Sequence, residues 1–253
     1  MENIFALPAE HCIYCGKIGG TLSDEHVVAY GLGGRHILPR SSCTDCQVRI
    51  NKQIETPLLQ NMLLPIRARH RYPTRKTSRS TVRAFRIESV LEKHFRLGTV
   101  DYPRKNYPGP TFMASVVDPP RIFTGTSPEE PVNLALAADG ITAEIMERQG
   151  GSIFGNFPPL DFVHKFARML AKIAHSYMYF QGLPFTSLML PIMNEQQNPW
   201  TLIGRAERKP EVIPGQKYHL CLREVGNLYI VSVSLLLDTS LDVHYDVVVG
   251  LKY

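Results

Sequence analysis

CIYCGKIGGTLSDEHVVAYGLGGRHILPRSSCTDCQVRINKQIE, residues 12–55, holds four of the chain's five cysteines as two Cys-x-x-Cys pairs, Cys12/Cys15 and Cys43/Cys46, separated by 27 residues. Each pair offers two thiolates from a tight turn, and four thiolates satisfy the tetrahedral preference of zinc. Such a site is closed, so its role is structural and any chemistry falls to other residues. Asp24-Glu25-His26, standing between the pairs, is the triplet that remains for it. Disulfide pairing is the alternative use of these cysteines. It needs an oxidising compartment, and MENIFALPAEHC lacks the basic region and apolar core of a secretory signal. The expected location is therefore cytoplasmic, where thiols stay reduced.

Outward from the cysteines, the local pattern reads as hairpin, loop, helix. Residues 1–11 form a short lead-in, and Gly19-Gly20 turns the chain back. Ser23 to Tyr30 carries His26 at or near a strand. Gly31, Gly33 and Gly34 force an irregular loop, because glycine reaches backbone angles closed to other residues. From Thr44 to about Leu64, the spacing of Val48, Ile50, Ile54, Leu58 and Leu59 is helical, with Pro57 ending or kinking the first part.

That order, with CIYC, Glu25-His26, GLGG, CTDCQ and Glu55 in it, resembles the HNH endonuclease family, in the subgroup with a zinc-binding cysteine pair on each side of a ββα-metal core. The resemblance covers about the first 60 residues, and it implies a metal-dependent nuclease that hydrolyses phosphodiester bonds in DNA, in a phage, restriction or defence setting. It implies His26 as the base that activates water, since an imidazole titrates close to neutral pH. Glu25 matches the position whose carboxylate holds a catalytic divalent cation, Mg2+ or Mn2+, although strand alternation would point Glu25 and His26 to opposite faces. Gln47 stands where the family has Asn or His. Asn51, four residues on and on the same helical face, is the preferred ligand, with Gln47 close behind. Glu55 reads either as a supporting acid or as a helix-surface charge. The departure at Gln47 keeps a second expectation open: a scaffold of weak or no activity that binds nucleic acid or a partner.

Charge divides unevenly along the chain. Residues 1–86 hold 13 Lys/Arg against 6 Asp/Glu, while the rest holds 15 against 17. The densest basic run contains Arg67, Arg69, Arg71, Arg75, Lys76 and Arg79 with no acid among them. Beside a metal knuckle it suits a phosphate backbone, so DNA is the expected partner; as a solvated interdomain linker it would look the same. His11, His36 and His70 read as bystanders.

The expected organisation is α+β: a zinc-stabilised HNH-like ββα module over 1–65, a basic linker over 66–86, and an α+β domain over 87–253. The third part centres on one long helix, Leu160 to Gly182, with Phe162, Phe166, Met169, Leu170, Ile173, Tyr177 and Phe180 as its core stripe and Lys165, Arg168 and Lys172 on another side. Strands follow in YHLCLR, LYIVSVSLLL and LDVHYDVVVGL, forming a mostly antiparallel sheet. Thr81 to Val100 is ambiguous between helix and hairpin, and Asp139-Gly140 signals a hairpin turn. Cys221 reads as a small buried residue and His244/Asp246 as a solvent-facing pair. Regulation, recognition or homo-oligomerisation is the expected job of this part. No apolar run is long enough to span a bilayer.

Overall fold

The computed structural model describes residues 2–74, 81–91, 94–103, 111–127, 129, 133–139, 161–211 and 213–253. The fold is α+β. Strand β1 (Ile4–Phe5) lies parallel to β3 (His36–Cys43), and β2 (Leu22–His26) lies antiparallel on its other side, in the order β1-β3-β2. The lead-in is thus part of the sheet.

Ser23 pairs with Ser42 but Glu25 pairs with Leu38, so Pro39, Arg40 and Ser41 bulge opposite Asp24. A bulge is where a strand tolerates proline. Arg40 takes a positive φ of 48° there, and its backbone N–H donates to Asp24 Oδ1 at 3.2 Å.

Helix Thr44–Ile50 follows β3 directly and continues through wider π-helical turns at Asn51–Glu55 and Leu58–Met62. Pro57, expected to end or kink this helix, sits inside it with helical angles. Its missing N–H and its ring are accommodated by the wider turns on either side. The chain stops at Leu63 and restarts as helix Leu64–Arg69.

Thr81 to Val100 resolves as a hairpin of β4 (Thr81–Leu91) and β5 (His94–Pro103). β6 (Thr111–Val116) pairs antiparallel with β7 (Leu134–Asp139). The hairpin expected across Asp139-Gly140 would need residues that lie outside the described ones. The long helix spans Phe162–Gln181 and ends at Gly182 with φ 68°. After it come β8 (Phe185–Ser187), β9 (Ile203–Arg205), β10 (Tyr218–Val225), β11 (Leu228–Leu235) and β12 (Val243–Lys252), a five-stranded antiparallel sheet ordered β10-β11-β12-β8 with β9 also on β12. Among the described residues, no helix is long and apolar enough to cross a membrane.

One apolar core runs from Cys12, Val27, Leu38 and Ile54 through the long helix to Val231 and Val249 of the sheet. The long helix is buried nearly all round. Arg168 and Lys172, expected on another side from the core stripe, are both buried, because the cysteine-bearing segment covers Lys172 and the segment after the long helix covers Arg168. Arg168 donates to the Met193 carbonyl at 3.0 Å and pairs with Glu195.

His175, also on this helix, donates Nε2–H to the Ile13 carbonyl at 2.7 Å, and Ser187 Oγ lies 2.8 Å from its Nδ1. Burial pushes its pKa down to about 4, against a smaller opposing pull from the Ile13 carbonyl. Below about 6.5 the unfolded chain therefore binds a proton that the folded chain refuses. This stability is fully present above that pH and is lost as pH falls toward 4. Denaturant melts should show wild type losing about 2 kcal/mol more than His175→Gln between about pH 7 and about pH 5.

Three further sequence expectations change with the fold. Cys221 is exposed, on the edge strand β10, rather than buried. Asp246 is buried rather than solvent-facing, because Arg223 at 2.6 Å and Ser232 Oγ at 2.6 Å both reach its carboxylate from across the sheet. His244 makes its own contacts instead, to Asp242 at 2.7 Å and Ser234 at 2.9 Å.

Candidate metal centre

The first knuckle is a turn held by its own backbone. Cys12 N–H donates to the Lys17 carbonyl at 2.9 Å, and Gly16 N–H donates to the Cys12 carbonyl at 2.8 Å. Gly16 has φ 73°, which favours glycine over any residue with a Cβ. Ile13 N–H donates to the Ser41 carbonyl at 2.9 Å, laying this turn against β3. The second knuckle needs no separate loop: Cys43 closes β3 and caps the helix, and Cys46 falls in the first helical turn.

The four sulfurs of Cys12, Cys15, Cys43 and Cys46 lie within 4.8 Å of one another. Cys15 Sγ and Cys43 Sγ are 3.8 Å apart. A tetrahedron with Zn–S arms of about 2.3 Å has edges of about 3.8 Å, whereas a disulfide would bring two sulfurs to about 2 Å. Burial pushes the Cys12 thiol up, but donation from the Cys43, Tyr14 and Cys15 backbone N–H groups outweighs it and leaves a pKa of about 7. Cys46 is held up by burial and by the neighbouring thiols. A cation among the sulfurs would reverse that repulsion. The donor set fits a structural zinc ion, which would fasten hairpin to helix and leave no open coordination position.

The expected catalytic set is distributed differently. Glu25 is buried at 7% exposure, and its Oε1 lies 2.5 Å from Lys172 Nζ, which is itself 0% exposed. The same ammonium reaches Glu55 Oε1 at 3.1 Å and donates to the carbonyls of Val27, at 3.3 Å, and His26. Burial, opposed by the Lys172 charge and reinforced by Glu55, raises the Glu25 pKa. As the protein stands, the carboxylate expected on a catalytic cation is held by an amine. Glu25 is thus engaged by Lys172, while Gln47 and Asn51 stand on the helical segment that follows β3. Gln47 is half-buried and Asn51 exposed on the helix. His26 is half-buried, its ring 5.8 Å from that of Tyr30. Asp24, one residue before Glu25, holds the bulge instead.

The basic run also divides. Arg67, expected on the nucleic-acid face, is buried at 5% exposure. Its guanidinium donates to the carbonyls of Gly31 at 2.6 Å, Leu59 at 2.5 Å and Pro73 at 3.0 Å. It clamps the glycine loop to the helical segment, a task for a planar fork of donors. Arg67→Ala should cost about 3 kcal/mol by stranding those carbonyls, and Arg67→Lys should recover only part of it in urea melts. Arg69 donates to Thr111 Oγ1 at 3.2 Å, and Arg71 is exposed. Arg75, Lys76 and Arg79 lie outside the described residues.

A cleft of about 560 Å³ opens where the sheet of β1–β3 meets the edge of β10, lined by Tyr30, Arg35, His36, Lys217, Tyr218 and His219 among others. Arg35 N–H donates to the Tyr218 oxygen at 3.1 Å, and His36 Nδ1 lies 2.7 Å from the same oxygen. Burial lowers the His36 pKa. Lys217 is partly offset by Asp238 at 2.7 Å.

Sequence reasoning missed Lys172 and this cleft. Glu25 was expected on a catalytic cation and Glu55 as a supporting acid or a helix-surface charge, and neither reading signalled that an amine from the long helix would meet both. Compared with known proteins, the chain matches no family model, no curated protein and no solved structure.

Proposed function

We propose that this chain is a nucleic-acid-binding protein on an HNH-type ββα scaffold whose metal-binding carboxylate has become structural. The observation that carries this reading is the ammonium of Lys172 on Glu25. The binding half is supported by the cleft, where Arg35, His219 and Lys217 stand among tyrosines, a combination suited to phosphate and to base stacking. Its volume suits a nucleotide or a single strand rather than a duplex. Cytoplasmic DNA, including displaced or invading single strands, is the proposed partner.

The test is fluorescence anisotropy of a labelled single-stranded oligonucleotide across a salt series, beside plasmid incubation with magnesium, manganese and nickel. Expected are salt-sensitive binding, weakened about 10-fold or more by Arg35→Ala with His219→Ala, and no cleavage under any metal. Cleavage that His26→Ala abolishes would overturn the non-catalytic half, and salt-insensitive or absent binding the other.

A second reading, a metal-dependent DNA endonuclease, is favoured by a different observation: the four-sulfur cluster joins a hairpin to a helix in the ββα order, with the half-buried His26 against Tyr30 at the rim of the cleft. That reading needs His26 as base and a cation held by Asn51 or Gln47 without Glu25.

A further inference from the structure

Four oxygens converge on Lys172 Nζ from two separate segments, residues 25–27 and Glu55. They are a carboxylate oxygen of Glu25 at 2.5 Å, one of Glu55 at 3.1 Å, and the carbonyls of His26 and of Val27, the latter at 3.3 Å. An ammonium has three protons to give, so four acceptors exceed what it can satisfy with full hydrogen bonds. Two carboxylates also outweigh one positive charge. The Tyr14 hydroxyl, buried 3.0 Å from Ser176 Oγ, borders the same cluster. Two carboxylates and two carbonyls around one point are the all-oxygen donor set of a hard divalent cation; the Glu25 contact at 2.5 Å already falls within the roughly 2.3–2.6 Å of calcium, and the Glu55 and Val27 oxygens, at 3.1 and 3.3 Å, would close in by about 0.5–1 Å on an ion.

We propose that this is a divalent-cation site filled by the protein's own lysine: Lys172 Nζ takes the ion's place, closes the site to Mg2+, Mn2+ and Ca2+, and makes the junction between hairpin and long helix independent of those ions. The inference rests on the same placement of Lys172 as the functional reading above, but it concerns metal uptake and not DNA. The amine is tethered, so the site cannot empty by dilution or chelation. A mobile ion there would tie the fold to divalent concentration, and a covalently attached charge does not. The backbone carbonyls contribute because β2 ends at His26, releasing the carbonyls of residues 26 and 27 toward the helix.

The experiment uses zinc-loaded full-length protein and Mn2+ as the probe, followed by electron paramagnetic resonance of the free ion. Wild type should take up no Mn2+ that depends on Glu25. Lys172→Ala, which removes the amine and leaves room, should bind one Mn2+ per chain with a dissociation constant on the order of 10⁻⁴ M or tighter, and adding Glu25→Gln should weaken that at least about 10-fold. If Lys172→Ala is unfolded without divalents, millimolar Mn2+ or Ca2+ should restore a cooperative melt. The inference is overturned by a folded Lys172→Ala chain that binds no Mn2+, by an unfolded one that no divalent ion rescues, or by wild type binding Mn2+ in a way that Glu25→Gln abolishes. Absence of DNA binding would sink the functional reading and leave these outcomes unaffected.

Discussion

Cys43→Ser should cut bound zinc from one per chain to a small fraction and destabilise the protein by at least about 3–5 kcal/mol, given that structural zinc supplies on the order of 10 kcal/mol of binding energy in small modules. Cys43 is simultaneously the end of β3, the start of the helix and one corner of the cluster, so three local structures lose their common anchor. The loss should fall short of the full binding energy, because Ile13, Val27, Leu38 and Ile54 belong to a core shared with the rest of the chain. Cys221→Ser is the matched control: it is exposed on β10 and should change neither zinc content nor melting temperature. Metal analysis by mass spectrometry beside thermal melts reads both. Zinc retained in full by the Cys43→Ser protein would remove the assignment of the cluster as a zinc site.

The second large effect is expected at Lys172. Lys172→Met keeps most of the volume and deletes the charge, leaving Glu25 and Glu55 facing each other out of water. Breaking a buried ion pair from one side typically costs about 3–5 kcal/mol. Neutralising the whole cluster, with Glu25→Gln and Glu55→Gln added, should recover most of that loss, because the cost lies in the unpaired charges rather than in the missing attraction. Urea denaturation of the single and triple variants measures it. Equal stability of the two would show that the carboxylates escape the problem by another route.

What the sequence made legible was what is local. The four-cysteine cluster follows from spacing, since each Cys-x-x-Cys pair is fixed by its own local backbone, a turn at Cys12–Cys15 and a strand end and first helical turn at Cys43–Cys46. The C-terminal strands follow from β-branched alternation, with Gly226-Asn227 joining Val225 to its partner Leu228. The long helix was placed to within a residue or two. Its environment was not: Lys172 meets Glu25 across 147 positions of sequence, and periodicity cannot say which other segment will cover a helix side. Arg67 failed for a related reason. In a run of basic residues each looks solvated, and only the glycine loop folding back shows that one is wanted for three carbonyls. Pro57 was over-weighted as a stop, because a widened helix can carry proline.

The burial of the long helix on both sides has a bearing on how such a protein could be recombined. The hairpin-and-cysteine segment cannot be lifted out as a self-sufficient cassette, since excision would bare the charged amine of Lys172, the ring of His175 and the hydroxyl of Ser176 on one partner and strand Glu25, Glu55 and Tyr14 on the other. Transplantation would succeed only if the helix travelled with it, so the cysteine segment and the long helix are bound to vary together.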